Sequence, residues 1–332
     1  MKDIPRDANG KFYFNANIFP KKFNSTYSKS LIYYLNCLDP LFEKAQAKCE
    51  FQFILTLLRN RGVQDAGWDA YENSVNTLDE IMRLENKVSG SFKGNLFLWV
   101  YAHIVEASEP YETIANLLNI LNGDSYRTFN FPKRKTGWGY RNQYPIEKIV
   151  YLEQLAKKVK MPDVVIPIKN IFDKDLRNAI FHSDYSFYEG EVRLNDPSRI
   201  YSRQETLSIT NKALAYHEVM KNMIEGYQRS YKESKFIDVS HGFSNDPNEK
   251  AVLIIRKNHG VTGMRDNWNP EELKSGRISW FIGKYLGYEQ KYLDRREVLL
   301  PPNKIERLNR FLRLLPNSIS KRVSKIVEKH FL

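Results

Sequence analysis

Asp-Leu-Arg-Asn-Ala-Ile-Phe-His-Ser-Asp-Tyr, residues 175–185, is the stretch from which the fold and the functional site are most directly predicted. Its spacing predicts a helix, and at 100° per residue the polar residues Arg177, Asn178 and His182 fall within an arc of about 140°. The opposite stripe is apolar and should pack into the core; it consists of Phe172, Leu176, Ala179 and Ile180. The polar face therefore does not serve the packing of its own helix, and we expect it to line a cleft or to meet a second subunit.

The three polar residues suit cleavage of RNA by its own 2′-hydroxyl. Histidine has an unperturbed pKa near 6.5, so His182 can take or give a proton at neutral pH. Arg177 stays charged and can donate two hydrogen bonds to phosphate oxygens as negative charge develops. Asn178 lies one turn before His182 and is expected to orient the imidazole, while Arg177 can swing towards it. The alternative is a solvated helix face or a helix-end salt bridge.

The surrounding sequence predicts a mainly helical protein with a β-hairpin after the motif helix. The hairpin comprises Tyr185–Glu189 and Glu191–Leu194, with a turn at Gly190. A second hairpin is predicted around Asn258-His259-Gly260. The helices predicted before the second hairpin are 27–38, 41–61, 68–84, 93–121, 145–158, 169–184 and 203–232. Pro40 separates the first two, and the helix 93–121 is kinked or split at Pro110 and stopped at Gly123. Further helices are predicted after the second hairpin.

The chain of 332 residues is long enough for more than one unit. We expect an N-terminal arm over 1–25, a helical-bundle domain over 26–235 and a small, basic α/β domain over 236–332. No apolar run is long enough to span a bilayer, and the first residues do not form a signal peptide. The expectation is a cytoplasmic protein without a membrane partner. The two cysteines cannot form a zinc site.

The net charge indicates an anionic partner, either nucleic acid or an acidic membrane face, and the aromatic residues supply core material or, where exposed, stacking surfaces for bases. Lysine and arginine number 51 against 39 acidic residues, a net charge of +12, and the chain contains 20 Tyr and 19 Phe. Both features concentrate in the loop 126–144, whose cations and aromatic rings are typical of a single-strand RNA-binding segment. The candidate RNA-binding residues are Arg127, Lys133, Arg134, Lys135, Trp138 and Arg141. A solvated loop with aromatics tucked into the core is an equal alternative, and the basic stretch from Asn303 is best explained as a charged helix surface.

His103 and Glu106 lie three apart on the predicted helix 93–121, a spacing that can bind metal in helical bundles. A di-metal site needs further carboxylates from facing helices, and none is apparent. We therefore predict no metal and no other cofactor. Glu106 is a candidate for orienting Arg177 or His182, the alternative being a surface or inter-helix pair.

The motif and its setting resemble the HEPN superfamily, whose signature is Arg, a polar residue and then His within a helical bundle. Here Arg177, Asn178 and His182 match that pattern with four residues between Arg and His, and residues 100–120 resemble an earlier bundle helix. The resemblance covers about residues 25–235. It implies a HEPN-like bundle, catalytic roles for Arg177 and His182 and a supporting role for Asn178.

The same resemblance implies a homodimer with a shared cleft that cuts RNA without metal. Proteins of this kind commonly act as toxins or antiviral defence effectors, which implies an antitoxin or defence-system partner. The leading prediction is an endoribonuclease. The alternative is a non-catalytic RNA- or nucleotide-binding module that acts through its C-terminal domain, and a bare dimerisation scaffold is a further alternative.

Overall fold

The computed structural model describes residues 25–58, 70–84, 87–127, 129–137, 139–239, 248–266, 289–291 and 296–298. The described part is mainly helical, with small antiparallel sheets. Its helices are α1 (Ser25–Lys48), α2 (Glu50–Leu58), α3 (Ala70–Leu84), α4 (Gly90–Glu106), α5 (Ser108–Asn122), α6 (Pro145–Lys158), α7 (Ile166–Ile171), α8 (Lys174–His182) and α9 (Arg203–Ser230). A 3₁₀ turn, Pro162–Val165, precedes α7.

The strands form hairpins and three-stranded antiparallel sheets. They are β1 (Arg134–Thr136) with β2 (Gly139–Arg141), β3 (Tyr185–Tyr188) with β4 (Glu191–Leu194) and β5 (Arg199–Tyr201), β6 (Phe236–Asp238) with β7 (Lys250–Arg256) and β8 (Gly260–Asp266), and β9 (Glu289–Lys291) with β10 (Arg296–Val298). Both predicted hairpins are confirmed. The pairs β1–β2 and β9–β10 and the strand β5 were not predicted.

The core forms around α9, which packs against α1 and α4. Aromatic side chains fill the space between α1 and α9: the Tyr34 and Tyr216 rings meet edge to face at 6.4 Å. The Phe42 and Tyr227 rings stack at 5.3 Å. The Ser202–Glu205 capping box begins α9, which confirms the predicted long helix after the motif. The mainly helical, bundle-like fold class is therefore present.

Pro40 does not separate two helices, because α1 continues through it to Lys48. A proline in a helix interior removes the hydrogen bond to the carbonyl four residues earlier, which is why the sequence predicted a break. However, Leu38, Leu41 and Phe42 on both sides of the proline are fully buried. Keeping this continuous apolar stripe in the core offsets the loss of one hydrogen bond, and the interruption falls at Cys49 instead.

Two other predicted helices are divided. The helix 93–121 splits at Ala107, three residues before Pro110, which lies in the first turn of α5 where its missing amide costs little. Gly123 ends α5 with φ 86°, as predicted. The predicted helix 169–184 divides between α7 and α8, because Asp173 takes an extended conformation and caps α8.

The sheet β6–β8 shares the core of the bundle. Ile237, Ala251, Leu253 and Val261 are buried in the same apolar cluster as α9. At Gly260, with φ 73°, a Cβ would lie 1.9 Å from the Gln228 carbonyl oxygen, so only glycine permits this approach to α9. Within the described residues, this sheet and the bundle therefore contribute to one apolar cluster.

Several predictions concern residues outside the described ranges. They concern the N-terminal arm (except Ser25, which is described), and also Trp138 of the basic loop, the helices predicted after residue 266 and the basic stretch from Asn303. Across the helices that the structure describes, none combines the length and apolar character required to cross a bilayer.

Candidate active site

The position of α8 is fixed at its first residue by the Asp173 side chain. Its Oδ1 accepts hydrogen bonds from the backbone amides of Asp175 and Leu176, both at 3.1 Å, which makes it the helix N-cap. Its Oδ2 accepts a 2.8 Å hydrogen bond from the Tyr201 hydroxyl on β5. Burial, together with the Asp173 carboxylate, raises the pKa of Tyr201, so this hydroxyl remains a donor. The backbone amide of Asp173 donates to the Tyr101 hydroxyl of α4 at 3.0 Å.

The other end of α8 is closed by Ser183 in the left-handed conformation, with φ 56°. The amide of Asp184 donates to the Ala179 carbonyl at 2.8 Å, as in a Schellman motif. His182 is thus the last residue of the helix, and its side chain is exposed. The predicted apolar stripe of α8 faces the core: Leu176, Ala179 and Ile180 are buried and Phe172 is half-buried.

Arg177 is held by groups from two helices. Its Nε donates to Oε1 of Glu106, the last residue of α4, and its Nη1 donates to Oδ1 of Asn178 at 2.8 Å. The guanidinium carbon lies 4.8 Å from the centre of the Phe181 ring one turn later. The side chain is only 16% exposed. Nη2 makes no hydrogen bond within the described residues and is not among their buried side-chain atoms without a partner, so its N–H groups can still donate to a ligand.

Two expectations about the motif are corrected by this arrangement. Asn178 does not hydrogen-bond His182 within the described residues; its side-chain oxygen instead accepts from Arg177. Arg177 turns towards Glu106 rather than towards His182, because the carboxylate at the end of α4 attracts the cation. Within the part of the chain that the structure describes, no hydrogen bond or ion pair engages the His182 imidazole. The contact expected between Glu106 and the motif is present, and it involves Arg177.

His103 and Glu106 have separate partners. The His103 Nε2 and the Ser74 hydroxyl of α3 are 2.6 Å apart, whereas Glu106 faces α8. Burial lowers the pKa of His103. No group of three or more potential His, Cys, Asp or Glu metal ligands occurs among the described residues. Neither residue is therefore arranged as part of a multi-ligand metal site there.

A half-buried histidine on α9, His217, lies close to His103 and was not predicted from the sequence. The Nε2 of His217 is buried without a hydrogen-bond partner. Burial, followed by the neighbouring Lys221 ammonium, lowers the pKa of His217 to about 4. Lys221 pairs with Asp79 of α3 at 2.7 Å. His217 is therefore neutral at pH 7 and packs as a polar group inside the bundle.

The basic loop 126–144 contains the β1–β2 hairpin, and its arginines are partly engaged. Arg134 and Arg141 both pair with Glu147 in the first turn of α6, at 3.1 and 2.8 Å. Hydrogen bonding to Arg141 is the main cause that lowers the pKa of Glu147 to about 2. The Arg141 guanidinium also lies 4.2 Å from the centre of the Tyr144 ring. Arg141 therefore has a structural role at the start of α6.

The remaining cations of the loop are exposed. The backbone of Arg127 is fixed by Asn116 of α5, which accepts from its amide at 2.9 Å and donates to its carbonyl at 3.0 Å. The residue itself is exposed, as are Lys133 and Lys135. Of the six predicted RNA-binding residues, these three present cations that the structure leaves to solvent.

The aromatic residues of the loop divide between core and surface. Phe131 packs edge to face against Tyr111 at 6.4 Å and belongs to the margin of the core. Phe129 and Tyr140 are exposed. Some rings of this loop therefore support the fold and others are exposed, and RNA binding by the loop stays a prediction.

No protein-family model matches the chain, and no curated protein or solved structure is significantly similar to it. Function is therefore inferred from the chemistry of the residues themselves.

Proposed function

We propose that the protein is a metal-independent endoribonuclease of the HEPN type. Arg177 binds the scissile phosphate, and His182 transfers the proton. Glu106 and Asn178 are positioning residues that hold the Arg177 guanidinium. The proposal is carried by the hydrogen bonds of Arg177, which donates to Glu106 of another helix and to Asn178, while its Nη2 has no hydrogen bond within the described residues.

The reaction follows from these groups. The RNA 2′-oxygen attacks the adjacent phosphorus, and the bond from phosphorus to the 5′-oxygen breaks. The products are a 2′,3′-cyclic phosphate and a 5′-hydroxyl. One proton leaves the 2′-hydroxyl and one is added to the leaving 5′-oxygen. His182 acts either as the base for the first transfer, with water protonating the 5′-oxygen, or as the acid for the second, with water accepting the 2′-proton. Arg177 donates through Nη2 to the phosphate oxygens as their charge increases.

The arrangement supports this proposal over a simple inter-helix ion pair for a geometric reason. An arginine that only links two helices can donate two hydrogen bonds to one carboxylate. Here Nε alone contacts Glu106, Nη1 is turned to Asn178, and the Phe181 ring covers one face. These contacts fix the orientation of the guanidinium, which is what phosphate binding requires.

A second wall for the site would come from a second copy of the chain. His182 lies at the exposed end of α8, and no hydrogen bond or ion pair within the described residues engages its imidazole. A two-fold dimer brings the same surface of another protomer to face it and would form the shared cleft that the HEPN resemblance implies. Lys133 and Lys135 would bind the RNA backbone away from the cut site.

The same resemblance implies a role in bacterial defence. The protein would be a toxin or antiviral effector controlled by an antitoxin or another defence-system partner. RNA ends sequenced after expression in cells would identify the target.

The proposal is tested by mixing the purified protein with labelled RNA in excess chelator. Cleavage that is lost in His182→Ala supports it. A mobility shift without cleavage would favour the non-catalytic binding module instead, and neither effect would favour a dimerisation scaffold.

A further inference from the structure

A row of exposed aromatic side chains lies on the Glu106 side of α4 and continues onto α8. Phe92, Trp99 and Glu106 are seven residues apart and fall within an arc of about 40° on the helix. The exposed rings of this aromatic row are Phe92 and Trp99 on α4 and Phe181 on α8, each more than half exposed. Large rings left in water on the side of α4 that leads to Arg177 are candidates for contact with a ligand.

Trp99 lies beside the β3–β4 hairpin although its ring is exposed. Its indole is close to the Tyr185 hydroxyl, which donates to Oδ1 of Asn95 at 2.6 Å. Burial raises the pKa of Tyr185, so this hydroxyl keeps its proton. The hairpin bearing Tyr185 packs tightly on α4: a Cβ on Gly94 would lie 2.8 Å from the Phe187 ring. One side of the tryptophan is therefore next to a closely packed hairpin, while more than half of the residue remains exposed.

An arginine side chain accompanies the Phe181 ring. The Arg177 guanidinium carbon lies 4.8 Å from the Phe181 ring centre. Flat apolar faces next to cations complement a ligand that has flat bases and a negative backbone.

We infer that Trp99 is a stacking platform for an unpaired RNA base close to the cleaved bond. The inference rests on the proposed function, because that function brings RNA to Arg177. Trp99 lies two turns before Glu106, about 10 Å along the helix axis, so the stacked base belongs to a nucleotide beside the scissile phosphate rather than at it. Stacking accepts any base, and it selects single strands over duplex.

The platform is tested by fluorescence anisotropy in the His182→Ala background with chelator present. The probes are a fluorescein-labelled, unstructured RNA and an abasic ribose-phosphate oligomer of the same length. Trp99→Ala should raise the Kd for RNA by roughly 5- to 150-fold, the usual effect of removing one stacking ring. The Kd for the abasic oligomer should not change. Trp99→Leu, which keeps apolar bulk without a flat face, should behave like Trp99→Ala.

Phe236→Ala is the matched control, since Phe236 is a similarly exposed ring on the β6–β8 sheet. It should leave both Kd values unchanged. Equal losses for RNA and the abasic oligomer, or no loss for RNA, would overturn the platform. Light scattering that shows Trp99→Ala or Trp99→Leu converting a dimer to a monomer would also overturn it, because a second copy would then cover the row.

The two proposals can fail separately. If the wild-type protein binds RNA through Trp99 but never cleaves it, the platform stands and the nuclease assignment falls. If the wild-type protein cleaves RNA and both Trp99 variants bind as tightly as their parent, the nuclease assignment stands and the platform falls.

Discussion

Arg177 on α8 donates through Nε to Glu106 on α4, a residue 71 positions earlier in the chain. The pair joins the motif helix to the last turn of its neighbour. It also decides which way the guanidinium faces, since the same nitrogen cannot turn to His182. The orientation of the Arg177 guanidinium depends on this contact.

The first prediction concerns the Arg177–Glu106 pair. Glu106→Ala should destabilise the protein by about 1–3 kcal/mol, because it leaves a largely buried cation unpaired, and it should slow RNA cleavage by misorienting Arg177. Glu106→Gln keeps an oxygen acceptor and should retain most of both properties. Denaturant unfolding and initial cleavage rates measure the two effects. Full activity in Glu106→Ala would show that the carboxylate has no positioning role.

A second prediction concerns acid stability and His217. Its pKa is about 4 in the folded protein against 6.5 for the ordinary side chain. Protons therefore bind the unfolded chain more readily, so the stability contribution is complete above pH 6.5 and is lost as pH falls towards 4. The loss is on the order of 3 kcal/mol. Unfolding measured from pH 7 to 4 should be less pH-dependent in His217→Leu than in the wild type.

The groups near His217 define the control for that measurement. Lys221, Asp79 and His103 act on the imidazole. They remain in His217→Leu, so carboxylate titration common to both proteins cancels in the difference. An identical pH dependence for the two proteins would mean that His217 already takes up a proton without cost in the folded state.

A third prediction separates the exposed loop lysines from the paired arginines. Replacing Lys133 and Lys135 with Gln should reduce the slope of log affinity against log salt by about 1.4, at about 0.7 per phosphate contact. Adding Arg134→Gln should reduce the slope by less than the about 0.7 expected for one phosphate contact, because Arg134 already pairs with Glu147. Binding by the His182→Ala background at several salt concentrations gives these slopes.

The matched control for the lysines is Lys157→Gln with Lys158→Gln on α6, two exposed lysines outside the loop. The control should leave the slope unchanged. If the loop variant has the parent slope, its lysines are only solvated and the RNA follows another basic surface.

A fourth prediction concerns assembly. The exposed His182 end of α8 needs an opposing wall, and an isologous dimer supplies it from the same surface. Light scattering should report a dimer at micromolar concentration. A monomer with full cleavage activity would remove the shared cleft from the account but would leave the motif chemistry in place.

Much of the fold follows from local sequence patterns. The apolar stripe of α8, the hairpin at Gly190, the long α9 and the split near Pro110 depend on spacing and turn residues, which a sequence displays directly. The continuation of α1 through Pro40 was missed because it depends on tertiary burial of Leu38 and Leu41. Likewise, the docking of Gly260 on Gln228 joins segments whose proximity no local pattern records.

The sequence indicated a contact between Glu106 and the motif, but it did not show how the side chains are arranged. The four-residue spacing from Arg177 to Phe181 is visible in the sequence and would have indicated their contact. In contrast, the choice of Arg177 between Glu106 and His182 depends on how α4 and α8 cross. Trp99 gives no signal by itself, since an isolated tryptophan at helical spacing is more often part of a core than an exposed platform.

The central claim is that Arg177 and His182 cleave RNA through its own 2′-hydroxyl. The most direct measurement is the chemistry of the ends formed from a labelled RNA in excess EDTA, compared with the same RNA carrying one 2′-deoxy nucleotide at the scissile position. We expect a 2′,3′-cyclic phosphate or its 3′-phosphate hydrolysis product and no cutting at the deoxy position. Neither Arg177→Ala nor His182→Ala should cut the RNA. Because the His182 side chain is exposed, His182→Ala should unfold like the wild type. Metal-dependent products with 5′-phosphates, or near-wild-type cleavage by His182→Ala, would contradict the central claim.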